Sequence, residues 1–303
     1  MKNRGMVVLL LVFSCRTAAA DPGPAQAVRD LVDGPLRVSE VAGGFTFTEG
    51  PAADAAGDVF FTDIPQERIH VWRAATGKID TWLERTDKLN GLCFRPDGTL
   101  VGCQMGQGRR VVNIDPATRA ITPLAGTIDG KRFNAPNDLA IDATGGVWFT
   151  DPAYGRTPEE LELAEEAVYW IAPGGASVQR VAGGFTRPNG IALAPDGKTL
   201  YVADLGANVT FAFSVEGPGR LGQRRRFADI GSDGFAMDER GNLYMTPTLP
   251  AIRVIAPDGT ELGEIPLPTP AANVTFGGPD RRTLFITARD KVFTLPMRVR
   301  GGQ

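Results

Sequence analysis

The chain has 303 residues, 43% of them hydrophobic, and a net charge of −3. That is enough apolar side chain for one sizeable core, and the mildly acidic balance argues against nucleic acid as a partner. With one histidine and three cysteines, a histidine triad or a His/Cys zinc site has almost nothing to draw on.

Taken in chain order, Lys2 and Arg4 precede an apolar run over residues 6–13, too short to span a bilayer. Ala18-Ala19-Ala20 fits a small-residue cleavage site, so residues 1–20 read as an export signal. The mature protein is then expected in the periplasm or outside the cell. Lipidation at Cys15, after Val12-Phe13-Ser14, is the alternative. Removing residues 1–20 takes away Lys2, Arg4 and Arg16 and no acid, so the net charge of −3 becomes −6. No later stretch reaches a transmembrane length. Residues 21–34 read as a linker and 35–300 as one domain.

That domain is punctuated by turn signals at Ala56-Gly57-Asp58, Pro96-Asp97-Gly98, Thr144-Gly145-Gly146, Pro195-Asp196-Gly197, Glu239-Arg240-Gly241 and Pro279-Asp280. Each separates an apolar stretch from a β-rich run such as Val59-Phe60-Phe61-Thr62 or Val147-Trp148-Phe149-Thr150. Outer hairpins follow, as at 69–72 and 79–83. Four short strands repeated six times predict an all-β, six-bladed β-propeller. The last repeat lacks a strand, and residues 35–41 are expected to supply it, closing the ring and hiding a sheet edge. Cys93 and Cys103 flank the second turn and read as buried small side chains, with a cross-strand disulfide as the alternative. An insertion over 153–167 carries Tyr154, Arg156 and five glutamates, with a helix-start signature at Thr157-Pro158-Glu159-Glu160. It is either a solvated surface helix or a lid over the central mouth.

One polar residue precedes the first strand of every repeat: Glu49, Asn90, Asn137, Asn189, Asp233 and Asn273, at spacings of 41, 47, 52, 44 and 40. Asparagine and aspartate before strands often only make turns. In a propeller, however, one position of each repeat faces one axis. Two carboxylates among amide oxygens make a donor set for a hard cation, which also offsets the cost of burying them. The single histidine, His70, reads as an ordinary strand residue.

Four ordered stretches, Thr48-Glu49-Gly50-Pro51, Phe133-Asn134-Ala135-Pro136-Asn137-Asp138, Arg187-Pro188-Asn189-Gly190 and Ser232-Asp233-Gly234, resemble the gluconolactonase, regucalcin and senescence-marker-protein family over about residues 38–297. Thr150-Asp151-Pro152-Ala153-Tyr154-Gly155 is similar to its bacterial lactonase members. The resemblance implies a propeller with a divalent metal, usually Ca²⁺, at the top of the channel. It implies Glu49, Asn189 and Asp233 as ligands and Asn137 as the extra asparagine ligand of bacterial lactonases and diisopropyl fluorophosphatase. Arg132 and Asn134 match positions that contact a sugar lactone. Asn90 and Tyr154 join them as substrate-binding candidates, and Asn273 belongs to the outer shell. Many relatives carry Glu-His where this chain has Gln104-Met105, which makes that side of the mouth more apolar. The expected activity is metal-dependent hydrolysis of a small lactone, with Asp233 as base, nucleophile or orienting ligand. Zn²⁺, Mn²⁺ and Mg²⁺ are alternatives to Ca²⁺. Organophosphate hydrolysis on the same cup, or a non-catalytic propeller stabilised by Ca²⁺, are the competing readings.

Overall fold

The computed structural model describes residues 24–302; the export signal expected over 1–20 lies outside them. A short helix, α1 (Pro24–Arg29), precedes the sheets. The first repeat holds β1 (Ser39–Ala53), β2 (Val59–Asp63), β3 (Arg68–Trp72) and β4 (Ile79–Glu84). The second holds β5 (Leu89–Phe94), β6 (Leu100–Gln104), β7 (Arg110–Ile114) and β8 (Ile121–Ala125), followed by a ribbon of β9 (Thr127–Ile128) and β10 (Lys131–Arg132). The third is β11 (Leu139–Ile141), β12 (Val147–Asp151), β13 (Ala167–Ile171) and β14 (Val178–Ala182). The fourth is β15 (Pro188–Leu193), β16 (Thr199–Asp204), β17 (Val209–Gly217) and β18 (Arg220–Ala228). The fifth is β19 (Phe235–Met237), β20 (Leu243–Met245), β21 (Ala251–Ile255) and β22 (Glu261–Pro266); β23 (Asn273–Gly277) and β24 (Thr283–Pro296) end the chain.

The strands form an antiparallel all-β propeller with five sheets, not the six expected. Four sheets have four strands, and one has six in the order β23-β24-β1-β2-β3-β4. The cause is β1, which runs 15 residues. Its first part pairs with β24, Ser39 against Thr294 and Gly43 against Lys291, while Thr48 to Ala53 pair with β2. The N-terminal strand therefore does not stop before the first repeat. It continues into it, and the strands of the last and first repeats become one sheet. The strand also starts at Ser39 rather than at residue 35.

Strands such as β2, β12 and β13 are buried throughout. Each sheet packs between two neighbours, so both of its faces are apolar and the residues run on rather than alternate. Every repeat meets the next through its own cluster. Phe60, Val71 and Trp82 pack on Leu92 and Val112, and Val101 and Val111 on Phe149 and Tyr169. Trp148 and Trp170 pack on Val202 and Phe213. A further cluster of Val59, Phe61, Trp72, Phe285 and Val292 joins the first repeat to the last. At roughly 1.5–3 kcal/mol per fully buried large side chain, these clusters hold the ring closed.

Residues 24–34 are not the linker that composition suggests. Val28, Leu31 and Val32 are buried against Ile252, Val254, Ile265 and Met297. Backbone bonds from Asp33 N to Pro296 O and from Arg298 N to Leu31 O tie the two ends of the chain together. The turn aspartates Asp97 and Asp196 behave as expected, each accepting the backbone N–H two residues on, and Asp258 does the same. Cys93 and Cys103 are both free thiols in one apolar cluster. Burial pushes Cys93 up to about 12 and Cys103 well above the usual thiol range.

Candidate functional site

The first strands of the repeats line a central cavity of about 650 Å³ walled by residues such as Leu92, Phe94, Leu139, Ile191, Phe235 and Phe276. At the head of these strands stand Glu49, Asn90, Asn137, Asn189 and Asn273, all buried, and Asp233, which is half-buried. Close approach of the neighbouring repeat, by backbone at one position and by side chain at another, sets this ring. Gly50 has φ of 47°, and a Cβ there would lie 1.9 Å from Asn90 O. At Gly234 a Cβ would fall 2.0 Å from Asn273 Cγ. Only glycine fits behind these two ring positions.

Two further devices hold the ring. Thr62, Thr150 and Thr246, all fully buried, send their hydroxyls to Asn90 O (3.2 Å), Asn189 O (2.8 Å) and Ala272 O (2.8 Å) of the following repeat. Aspartates at the ends of second strands grip the incoming loops by two backbone N–H groups each. Asp63 accepts from Thr46 and Phe47, Asp151 from Asn134 and Ala135, and Asp204 from Thr186 and Arg187. Glu49, Asn137 and Asn189 follow directly. The signal was present as Thr62-Asp63, Thr150-Asp151 and Ala203-Asp204, once these are aligned as strand ends.

The electrostatics of the ring are unbalanced. Burial and the negative charge of Asp233 hold the Glu49 carboxyl well above the usual carboxylate range. Burial pushes Asp233 up to about 7, opposed by the Asn189 amide, whose Nδ2 donates to Asp233 Oδ1 at 2.6 Å. Asn189 Nδ2 also donates to the Tyr154 hydroxyl at 3.1 Å, while Asn189 Oδ1 is buried without a partner. Asp138 takes the place that glycine fills after Glu49, Asn90, Asn189 and Asp233; burial pushes it up to about 7. In the sequence it is hidden by the ring residue Asn137 that it follows. Among the described residues no three His, Cys, Asp or Glu side chains gather as a metal set. The Glu49 and Asp233 carboxylates, the unsatisfied Asn189 oxygen and further amides around them do fit a hard divalent cation.

The predicted substrate contacts divide. Tyr154 is at the ring through Asn189, and Asn90 Nδ2 lies 3.9 Å from Met105 Sδ, which brings Met105 to the ring as expected. Arg132 is not brought there: it sits on the exposed ribbon, its Nε bonded to Glu162 at 2.6 Å. Asn134 is buried, its Nδ2 donating to Glu165 O at 3.1 Å and weakly to Asp151 O. It holds the insertion to β12. His70 is a neutral core residue stacked on Phe61 at 5.4 Å, its imidazole held below the usual range by burial.

The insertion forms only one 3₁₀ turn, Pro158–Glu160, rather than a helix. Arg156 pins it: its guanidinium donates to Met105 O at 2.6 Å, to Gly106 O and to Asn134 O at 3.2 Å. Of the five glutamates, Glu162 and Glu165 pair with Arg132 and Arg180, and Glu160 caps Thr157 N.

Fold and ring together define an all-β propeller whose channel mouth gathers carboxylate and amide oxygens. The chain belongs to the family described as SMP-30/Gluconolactonase/LRE-like region, which matches residues 47–290. It is 30% identical to a gluconolactonase of Zymomonas mobilis over 86% of this chain and 82% of that one. It is 38% identical to a 6-deoxy-6-sulfogluconolactonase of Pseudomonas putida over 76% and 78% of the two chains. The solved structure of a gluconolactonase from Xanthomonas campestris superposes with a TM-score of 0.82 at 34% identity, covering 89% and 92%. These likenesses support a hydrolase of the lactonase type.

Proposed function

We propose that the protein hydrolyses a small sugar-type lactone with the help of a divalent cation, Ca²⁺ foremost, held by Glu49, Asn137, Asn189 and Asp233. The observation that carries this is the pair of carboxylates, buried Glu49 and half-buried Asp233, beside the unsatisfied Asn189 Oδ1. No arginine or lysine pairs with either carboxylate among the described residues. The named gluconolactonase relatives support the substrate class.

When bound, the cation would polarise the lactone carbonyl and stabilise the oxyanion that develops on it. The protein's own groups do the rest. Asn189 Nδ2 engages Asp233 Oδ1, which leaves Oδ2 to orient a water and take its proton. The Tyr154 hydroxyl accepts from Asn189, and burial pushes it up to about 12. It therefore keeps its proton at neutral pH and can donate it in a hydrogen bond to the substrate. Met105, beside Asn90, keeps that side of the mouth apolar. Residues 1–20 direct export, so the reaction takes place in the periplasm or outside the cell.

The test is hydrolysis of a lactone panel, followed by pH indicator, on protein stripped with chelator and then given back metal. Glucono-1,5-lactone and an aliphatic γ-lactone are compared, with Glu49→Gln alongside. Turnover restored by metal in the wild type and lost by at least about 100-fold in Glu49→Gln is the expected result. Turnover that ignores chelator, or survives in Glu49→Gln, removes the metal from the reading.

A further inference from the structure

Two arginines flank Asp233 at the mouth, and neither has a role in the scheme above. The Arg187 guanidinium lies over the Tyr154 ring, 5.1 Å from its centroid. The hydroxyl of that ring is bonded to Asn189, which is bonded to Asp233. One aromatic ring therefore separates the cation from the candidate ligands. Arg289 lines a cleft of about 80 Å³ together with Asp233, Phe47 and Thr248. Both arginines are exposed. Among the described residues neither makes an ion pair or donates a side-chain hydrogen bond, in contrast with Arg132, Arg156, Arg180 and Arg253, all of which are tied to glutamates. Glu166 is the carboxylate whose charge interacts with Arg187, from beyond ion-pair distance.

Charge at the mouth makes the same point. A divalent cation would balance Glu49 and Asp233, so neither of these carboxylates is left to pair with the two guanidiniums. Arginine stacked on an aromatic ring is held in place and presents a fork that suits carboxylate, sulfonate or phosphate oxygens. We propose that Arg187 and Arg289 select a lactone that carries an anionic substituent remote from its ring carbonyl. This rests on the lactonase reading and narrows its substrate class. It also gives the mouth a cationic reader that Arg132, bound to Glu162, does not supply.

The test uses the full metal-loaded protein and three lactones of one ring: neutral glucono-1,5-lactone, its analogue with a carboxylate at the far carbon, and its analogue with a sulfonate there. kcat and KM are measured at low and high salt for wild type, Arg187→Gln, Arg289→Asn and the double variant. Asparagine is chosen because Arg289 has φ of 58°, which asparagine tolerates. The readout is the ratio of kcat/KM for each anionic lactone to that for the neutral one, so a general loss of activity or folding does not move it. Wild type is expected to prefer an anionic ring by tenfold or more. Each substitution should cut that preference about 10-fold, mainly through KM, and salt should erode it. The carboxylate and sulfonate arms tell which oxyanion shape the pair accepts. Opening of the neutral ring with no anionic preference, or a preference that survives in the double variant, overturns this inference alone. Failure to open any of the three rings overturns the lactonase reading and this inference with it.

Discussion

Glu49 and Asp233 cannot both ionise at low cost inside the ring, and this gives the metal-free protein a distinctive pH response. Burial pushes Asp138, Asp151 and Asp233 each up to about 7. Between the ordinary carboxylate value near 4 and about 7, the folded chain holds protons that the unfolded chain has already lost. Unfolding then releases protons, so stability falls as pH rises through that window. His70 acts in the opposite sense, because its folded value is lowered and it loses stability as pH drops through 6.5. One histidine does not outweigh several carboxylates. In chelator, the unfolding midpoint should fall from pH 5 to pH 8, and excess Ca²⁺ should restore it most at pH 8, where the carboxylates are free of protons. A midpoint in chelator that is flat or rises over that range would contradict the burial argument. The ring residues were legible at this scale because one position per repeat recurs with one period. Arg187 and Arg289 were not, because nothing periodic marks them, while Asp138 is marked only as a break in the glycine that follows four of the ring residues. Arg132 matched a sugar-contacting position in sequence, but Glu162 across the ribbon takes up its guanidinium.

The insertion between β12 and β13 shows how side chains decide an element. Pro158 and the acidic first turn suggested a helix start, yet the glutamates serve as ties to Arg132, Arg180 and Thr157 rather than as one face of a helix. Leu161 and Leu163 are too few to make an apolar stripe. The segment is anchored by Arg156, whose guanidinium satisfies carbonyls of both the second and third repeats. Arg156→Ala leaves Met105 O, Gly106 O and Asn134 O without that donor and should cost about 2–4 kcal/mol. Limited proteolysis should then cut within 157–166 faster than in wild type, and KM should rise as Tyr154 loses its support. Unchanged cleavage would mean that Arg109, which donates to Glu160 O at 3.0 Å, suffices. Short strands and aspartate turns were legible throughout, since each is specified within about ten residues. The continuity of β1 was not, because Gly43 and Gly44 look like a break and the pairing partner lies some 250 residues away.

At the scale of the molecule, ring closure depends on both ends of the chain. β1 joins the last repeat to the first, and α1 with Leu31 and Val32 fills the outer side of the fifth and last repeats. A chain starting at residue 35 should therefore unfold at lower denaturant than one starting at residue 21. The difference should be several kcal/mol, since three buried aliphatic residues are worth about 1.5–3 kcal/mol each as an upper estimate. Equal midpoints would return the segment to the role of a linker. Residues 24–34 read as a linker because proline, glycine and aspartate mark them as loop, and the helical spacing of Val28, Leu31 and Val32 is too short a stretch to reveal the surface that receives it.

The sequence by itself determined the all-β propeller class, the repeat, the six polar positions at the strand heads and the family, because each rests on local patterning that recurs or on ordered stretches of a few residues. Tertiary structure alone decided that the first and last repeats share a sheet and that the aspartates at strand ends clamp the loops before Glu49, Asn137 and Asn189. It also decided which cations stay unpaired at the mouth. Those outcomes depend on what lies opposite a side chain across tens or hundreds of residues, where burial, carboxylate partners and backbone N–H groups are supplied by other parts of the ring.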